Sequence, residues 1–124
     1  MFSARKTHKA LEVAPYLKFN LKAEIAHLCK GEQQSGRRSR PLMKAPDLRV
    51  VLVTAKKGSY MKEHRANGSV TILAVAGAIR LKLEGGQVDL NPGELLALDR
   101  ALPHDVEALS DCAFLVTIGW PTNV

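Results

Sequence analysis

From residue 48 to residue 120 the chain is a series of short apolar segments, and turn-forming residues separate them. Segments rich in β-branched residues favour strands, and pairs such as Gly85-Gly86 and Pro92-Gly93 favour the turns between them. The predicted strands cover residues 48–55, 70–76, 78–83, 87–90, 94–98, 104–109 and 113–120. Seven or eight short strands with no helix between them predict an all-β, antiparallel barrel or jelly roll. They argue against a doubly wound parallel sheet.

One helix signal precedes these strands. Leu21, Ile25 and Leu28 share a face at helical spacing. Asn20 before them is a suitable N-cap, and Gly31 after them is a suitable stop. The sequence therefore predicts a short helix close to the N-terminus.

The rest of the N-terminal third is polar and basic. About the first 15 residues have little periodicity, which predicts a loose arm, and residues 32–40 predict a loop. We therefore divide the chain into a basic N-terminal arm with a short helix, residues 1–44, and a barrel, residues 45–124.

The composition fits one globular domain. The chain has 124 residues, of which 46% are hydrophobic and 24% are charged. No segment reaches the roughly 18 apolar residues of a membrane span, and the N-terminus has no apolar signal region. The two cysteines, Cys29 and Cys112, make no disulfide framework. We expect a cytoplasmic protein that does not associate with membranes.

The net charge of +6 is concentrated in the N-terminal third. Residues 1–44 carry ten Lys and Arg against three acids, a net charge of +7, whereas residues 45–124 carry a net charge of −1. Arg37, Arg38 and Arg40 suggest either binding to nucleic acid or an acidic partner, or a solvated arm that aids solubility. We favour the solvated arm over nucleic-acid binding, because nucleic-acid motifs and interleaved aromatic residues are missing there.

Three residues of the barrel region fall at the spacing of a known motif. His64 follows Gly58 after five intervening residues, and Gly77 comes thirteen positions after His64. Here the chain resembles the cupins, specifically the small single-domain proteins of the cupin 2 conserved-barrel type. The first motif of that family reads G-x5-H-x-H-x3-E-x6-G. Its second histidine and its glutamate fall on Ala66 and Val70.

The second motif of that family, G-x5-P-x-G-x2-H-x3-N, is matched in part by Gly93 and His104. Its other positions hold Asp99, Ala101 and Ala108. The resemblance covers about residues 48–121, and the matching residues come in order and in strand context. It implies a cupin barrel, and it implies a homodimer, as is common among small cupins of this type.

The resemblance also implies a metal site. In the family this site consists of three imidazoles and a carboxylate, which suit iron, manganese, nickel, copper or zinc. In this chain His64 and His104 are the matching metal ligands, whereas Ala66 and Val70 have no donor atom. Two imidazoles alone hold a divalent transition metal weakly. The sequence therefore leaves the metal open, and it assigns no other cofactor.

Three neighbouring residues, Glu63, Tyr60 and Asp105, carry donor atoms that could replace the missing ligands. Successive residues of a strand point to opposite faces. We therefore expect Asp105 to point away from the interior if His104 points into it, and Glu63 to point away from the side of His64.

We expect His64 and His104 to face a shared cavity inside the barrel, with Val106 on the same side of its strand as His104. Small apolar side chains there leave space for a small, partly apolar organic ligand. The predicted ligand-binding residues are His64, His104, Tyr60 and Val106, and no catalytic residue is assigned. The alternation within residues 70–76 leaves open which of its faces lines the cavity.

Three functions are compatible with these residues. The first is a module that binds a small organic molecule, with His64 and His104 in the pocket. The second is a metal-dependent dioxygenase or isomerase that completes its ligand set with another residue. The third is an interaction protein that uses the basic N-terminal arm.

Overall fold

The computed structural model describes residues 15–30, 36–64, 68–99 and 102–120, and the side chains of residues 63 and 64 lie outside this description. One helix precedes nine strands in the described chain. The elements are α1 (Leu21–Leu28), β1 (Arg37–Lys44), β2 (Leu48–Ala55), β3 (Tyr60–His64), β4 (Ser69–Ala76), β5 (Ile79–Leu83), β6 (Gly86–Leu90), β7 (Leu95–Leu98), β8 (His104–Ala108) and β9 (Cys112–Gly119).

The strands form two antiparallel sheets. One has five strands in the order β1-β2-β9-β4-β7, and the other has four in the order β3-β8-β5-β6. Strands that are distant in sequence, such as β2 and β9, are neighbours in the sheet, as a jelly roll requires. The prediction of an all-β, antiparallel jelly roll with one short N-terminal helix is confirmed.

The main core lies between the two sheets. Phe114 and Ile72 from the five-stranded sheet and Ile79 and Leu81 from the four-stranded sheet are at most 2% exposed. Strict alternation of side chains along each strand builds these inner faces. In β4 this alternation sends Val70, like Ile72, into the core, which answers the question that the sequence left open.

The N-terminal helix forms where it is predicted. The side chain of Asn20 accepts a hydrogen bond from the backbone N–H of Ala23 at 3.0 Å, so it caps the first turn. An ion pair between Glu24 of α1 and Arg40 of β1 connects the helix to the outer face of the five-stranded sheet. Gly31, the predicted stop, lies outside the described residues. In the part of the chain that the structure describes, no helix is long and apolar enough to cross a membrane.

Two strands were not predicted. The loop predicted for residues 32–40 is wrong for its second half, because β1 starts at Arg37 and pairs along β2 from Arg37 opposite Ala55 to Lys44 opposite Arg49. The sheet therefore begins before residue 45, where we expected the barrel to start. β1 is an edge strand, and its polar side chains remain partly in water while its backbone pairs with β2.

The second unpredicted strand, β3, lies between residues 55 and 70, where no strand is predicted. β3 pairs with β8, with Tyr60 opposite Glu107 and Met61 opposite Val106. The described chain therefore has nine strands, where seven or eight were predicted.

Gly77, one of the motif glycines, lies in the turn between β4 and β5. Its φ of +67° falls in the left-handed region. A Cβ atom at this position would lie 2.1 Å from the backbone oxygen of Asp111, which leaves no space for a side chain. This part of the motif therefore serves the fold.

Candidate ligand-binding site

A cavity of about 340 Å³ lies between the two sheets. Most of its wall is apolar and comes from inner-face residues of both sheets. The apolar lining residues are Val51, Val53, Met61, Val70, Ile72, Val106, Phe114, Val116 and Ile118, and the polar ones are Arg37, Arg38, Ser39 and His104. This volume is within the range of roughly 300–1,000 Å³ that small-molecule sites occupy.

His104 is the polar residue buried in this wall. It is the first residue of β8 and is 7% exposed. Its Nδ1 lies 3.2 Å from the carbonyl oxygen of Leu102. A carbonyl oxygen only accepts, so Nδ1 donates, and in the neutral ring the lone pair is then on Nε2. Nε2 of the neutral ring therefore has the chemistry to accept a hydrogen bond.

His64 is the residue of β3 that pairs with His104 of β8. The two motif histidines, forty positions apart in sequence, are thus brought together on neighbouring strands. The side chain of His64 lies outside the described residues, so a cavity shared by the two imidazoles stays a prediction.

Tyr60 does not line the cavity, and its assignment there is wrong. It is 44% exposed, and its hydroxyl donates a hydrogen bond of 2.6 Å to Asp105 on the outer face of the four-stranded sheet. This bond to a carboxylate raises the pKa of Tyr60. The reason for the error is strand alternation: β3 turns Tyr60 outward and Met61 inward, and Met61 is a cavity residue that the sequence reasoning missed.

Strand alternation also places the residues around His104. Asp105 points away from the cavity, as predicted, because it bonds to Tyr60 outside. Val106 is 4% exposed and lines the cavity next to His104. A contact between Val106 and a ligand stays a prediction.

The described donor atoms do not fit the metal site that the family resemblance implies. Val70, at the glutamate position of the motif, is an apolar part of the cavity wall, and Ala66 lies outside the described residues. Within residues 15–30, 36–64, 68–99 and 102–120, no three His, Cys, Asp or Glu side chains are grouped so that they could hold an ion. The one imidazole among the described lining side chains provides too few ligands for a divalent transition metal.

Exposed residues of β1 form the mouth of the cavity. Arg37 and Ser39 are exposed, whereas His104, Val70 and Phe114 deeper in the cavity are buried. The sequence reasoning placed Arg37 in a solvated arm and therefore missed this position. One indication of β1 is present in the sequence. The apolar residues 48–55 form a strand, and a polar segment next to that strand can pair with it through the backbone.

Cys112 is not suited to act as a nucleophile. It is buried at the start of β9, and burial raises the pKa of its thiol to about 11. The thiol therefore remains protonated near neutral pH.

No family model matches this sequence, and no curated protein matches it. Solved structures do resemble the fold. A cupin superfamily protein from Desulfitobacterium hafniense superposes with a TM-score of 0.71 at 16% identity, over 78% of this chain and 88% of that one. This chain has the cupin fold.

Two further structures show the same likeness. A cupin-2 domain protein from Shewanella frigidimarina superposes with a TM-score of 0.66 at 13% identity, over 82% of this chain and 94% of that one. A conserved protein of unknown function from Streptococcus pyogenes gives a TM-score of 0.67 at 19% identity, over 73% of this chain and 79% of that one. These identities support the fold alone and carry no activity over to this chain.

Proposed function

We propose that this protein binds a small organic molecule in the cavity between its two sheets, with His104 as the polar contact in an otherwise apolar interior. The observation that carries the proposal is the burial of His104 in the wall of a 340 Å³ cavity. Ligand sites of this size combine apolar walls with a few polar groups that fix orientation.

The apolar wall and the imidazole of such a site contribute to binding in different ways. The apolar wall provides affinity through the hydrophobic effect, at roughly 25 cal/mol per Å² of apolar surface buried. A hydrogen bond to the imidazole provides orientation, and it contributes about 0.5–1.5 kcal/mol net. The ligand is therefore mostly apolar and carries a polar group that forms a hydrogen bond with the imidazole of His104.

Occupation of the cavity is tested with a fluorescent apolar probe, N-phenyl-1-naphthylamine. We expect saturable binding to the wild-type protein and loss of that binding in Val70→Phe, because the larger side chain enters the cavity from its wall. Leu95→Phe is the matched control, since Leu95 is 59% exposed and lies outside the cavity. Equal binding to the wild-type protein and to Val70→Phe would contradict the proposal.

The role of His104 is tested with two probes that differ in one hydroxyl group, 1-naphthol and naphthalene. In His104→Leu we expect the affinity for 1-naphthol to fall between about twofold and tenfold, as the loss of one hydrogen bond predicts. The affinity for naphthalene should stay the same or rise. A parallel loss for both probes would assign His104 to the structure of the wall and not to ligand recognition.

A further inference from the structure

We propose that this protein has a second small-molecule site between α1 and the five-stranded sheet, and that this site binds a phenol, an aromatic ring with one neutral hydroxyl group. The site is a recess of about 300 Å³, which we call the helix recess. Its lining includes Ile25 and Cys29 at the end of α1, Thr54 and Ala55 of β2, Ala76 of β4 and Cys112 of β9. It lies on the outer face of the sheet, so it does not depend on the function proposed for the cavity between the sheets.

The hydroxyl of Thr54 is the observation that points to a ligand. Thr54 lines the helix recess and is 2% exposed. Its Oγ1 has no hydrogen-bond partner among the described residues. Most buried polar side-chain atoms in proteins have a partner, and a buried group without one destabilises the fold. A molecule in the recess with a polar group near Thr54 would supply the missing hydrogen bond.

The inner end of the helix recess is neutral, whereas its mouth carries charges. The buried residues Ala55 and Cys112 line it together with Thr54, and the raised pKa of the Cys112 thiol keeps this group protonated near neutral pH. Lys56 and Asp111 also line the recess, but they are exposed and therefore hydrated. An ionised group of a ligand would lose its hydration at the inner end, so the group that reaches Thr54 is neutral.

A hydroxyl group is the neutral partner that fits Thr54 most simply. The hydroxyl of threonine can donate one hydrogen bond and accept others, and the hydroxyl of a phenol has the same capacity. A hydrogen bond between the two groups therefore forms whichever of them donates.

The two cysteines favour an aromatic ring over an aliphatic one. Cys29 is the C-cap of α1 and Cys112 is the first residue of β9, so the helix and the sheet each contribute a cysteine to the lining. Sulfur is soft and polarizable, and sulfur contacts with aromatic rings are favourable. Ile25 and Ala76 add apolar contacts to the ring. The ring of a phenol thus packs between the helix and the sheet, with its hydroxyl at Thr54.

NMR spectroscopy of the backbone amides locates the bound molecule. Titration with phenol itself should shift the amide resonances of Ile25, Ala55 and Cys112 in a saturable way. Cyclohexanol has a similar size and the same hydroxyl group but no aromatic ring, and we expect it to bind at least about twofold more weakly. Saturable shifts around Val106 alone would place phenol in the cavity between the sheets and would overturn the second site.

The role of Thr54 is tested with phenol and toluene, which differ in one hydroxyl group. In Thr54→Val we expect the affinity for phenol to fall between about twofold and tenfold, and the affinity for toluene to stay the same or rise. Thr117→Val is the matched control, because Thr117 lies on the same outer face, opposite Thr71 of β4, and outside the helix recess. It should leave both affinities unchanged. Thermal unfolding of each variant shows that the fold is retained.

The volume of the helix recess is tested separately. Ala76→Phe places a large side chain at an exposed lining position, so it should abolish the shifts that phenol causes at Ile25 and Cys112. Ala97→Phe makes the same change at an exposed position of β7, opposite Thr71 and outside the recess, and should preserve them.

The outcomes decide both parts of the proposal. An affinity for phenol that Thr54→Val leaves unchanged, or phenol shifts that persist in Ala76→Phe, would overturn the site. A crystal soaked in phenol that shows only an ordered water at Thr54 would overturn it as well. Equal binding of phenol and cyclohexanol would overturn the phenol class.

Discussion

The outer faces of the two sheets differ in their exposure to solvent. On the four-stranded sheet, Tyr60 bonds to Asp105, and Lys82 lies 5.1 Å from the centre of the Tyr60 ring. On the five-stranded sheet, the outer-face residues Leu52 and Thr54 are 0% and 2% exposed. One outer face is thus a solvated network of paired polar groups, and the other is a second core.

The N-terminal segment makes this difference. Leu17, Phe19 and Leu21 line one recess together with Leu42 and Val50 of the five-stranded sheet. Ile25 and Cys29 line another together with Thr54. The helix and residues 16–20 before it therefore belong to the folded domain, although by charge this segment resembles a solvated arm.

The comparison also shows where function is to be sought. Polar groups on the open face of the four-stranded sheet satisfy one another, so they need no ligand to explain them. Inside, the buried imidazole of His104 faces an apolar cavity. A cavity that combines apolar walls with a buried polar group is the better indication of a binding site.

The largest expected effect comes from shortening a buried side chain on the outer face of the five-stranded sheet. Leu52→Ala should lower the free energy of unfolding by about 2–5 kcal/mol, because it removes buried methyl groups between the sheet and the N-terminal segment. Leu95→Ala, an exposed position of the same sheet, should change it by no more than about 0.5 kcal/mol. Urea denaturation measures both. Similar small effects at the two positions would contradict the description of this face as a core.

A buried polar atom on the outer face of the five-stranded sheet provides a second test of the difference between the two outer faces. The hydroxyl of Thr54 is buried and has no hydrogen-bond partner among the described residues. Thr54→Val keeps the shape and removes the unsatisfied group, so it should raise the free energy of unfolding by about 1 kcal/mol. Thr117→Val, at a partly exposed position of β9, is the control and should be within about 0.5 kcal/mol of the wild-type protein. A loss of stability in Thr54→Val would mean that the hydroxyl is hydrogen-bonded.

Whether a strand of this fold can be predicted from the sequence depends on how that strand is stabilised. β2 was predicted at its observed bounds, because a run of β-branched residues needs no information from its neighbours. β1 begins with Arg37, Arg38, Ser39 and Arg40, and its pairing comes from the backbone of β2, which no local pattern reveals. The fold could be predicted because seven of the nine described strands carry a signal in their own sequence, either β-branched residues, alternation or flanking turn residues.

The candidate site was predicted in part for the same reason. The motif and strand alternation place His104 on the inner side of β8, because β8 is a predicted strand. No strand is predicted over β3, and without a strand alternation gives no direction for the side chain of Tyr60. The charged mouth was missed because β1 was not predicted as a strand.

The smallest expected effect is on the solvated face, where the bond between Tyr60 and Asp105 couples stability to pH. The carboxylate of Asp105 accepts from the phenol and raises the pKa of Tyr60, so the protonated phenol is favoured in the folded state. The resulting stabilisation is complete below the unfolded pKa of tyrosine and is lost as pH rises through the higher folded pKa.

In Asp105→Asn the pKa of Tyr60 should fall toward its ordinary value, and stability should decline less at alkaline pH. Titration of the Tyr60 ring resonances by NMR measures this shift, with Asp89→Asn as a control on the same face that should leave Tyr60 unchanged. An unchanged pKa of Tyr60 in Asp105→Asn would mean that the two side chains do not interact. The outer faces of the two sheets would then differ in burial alone.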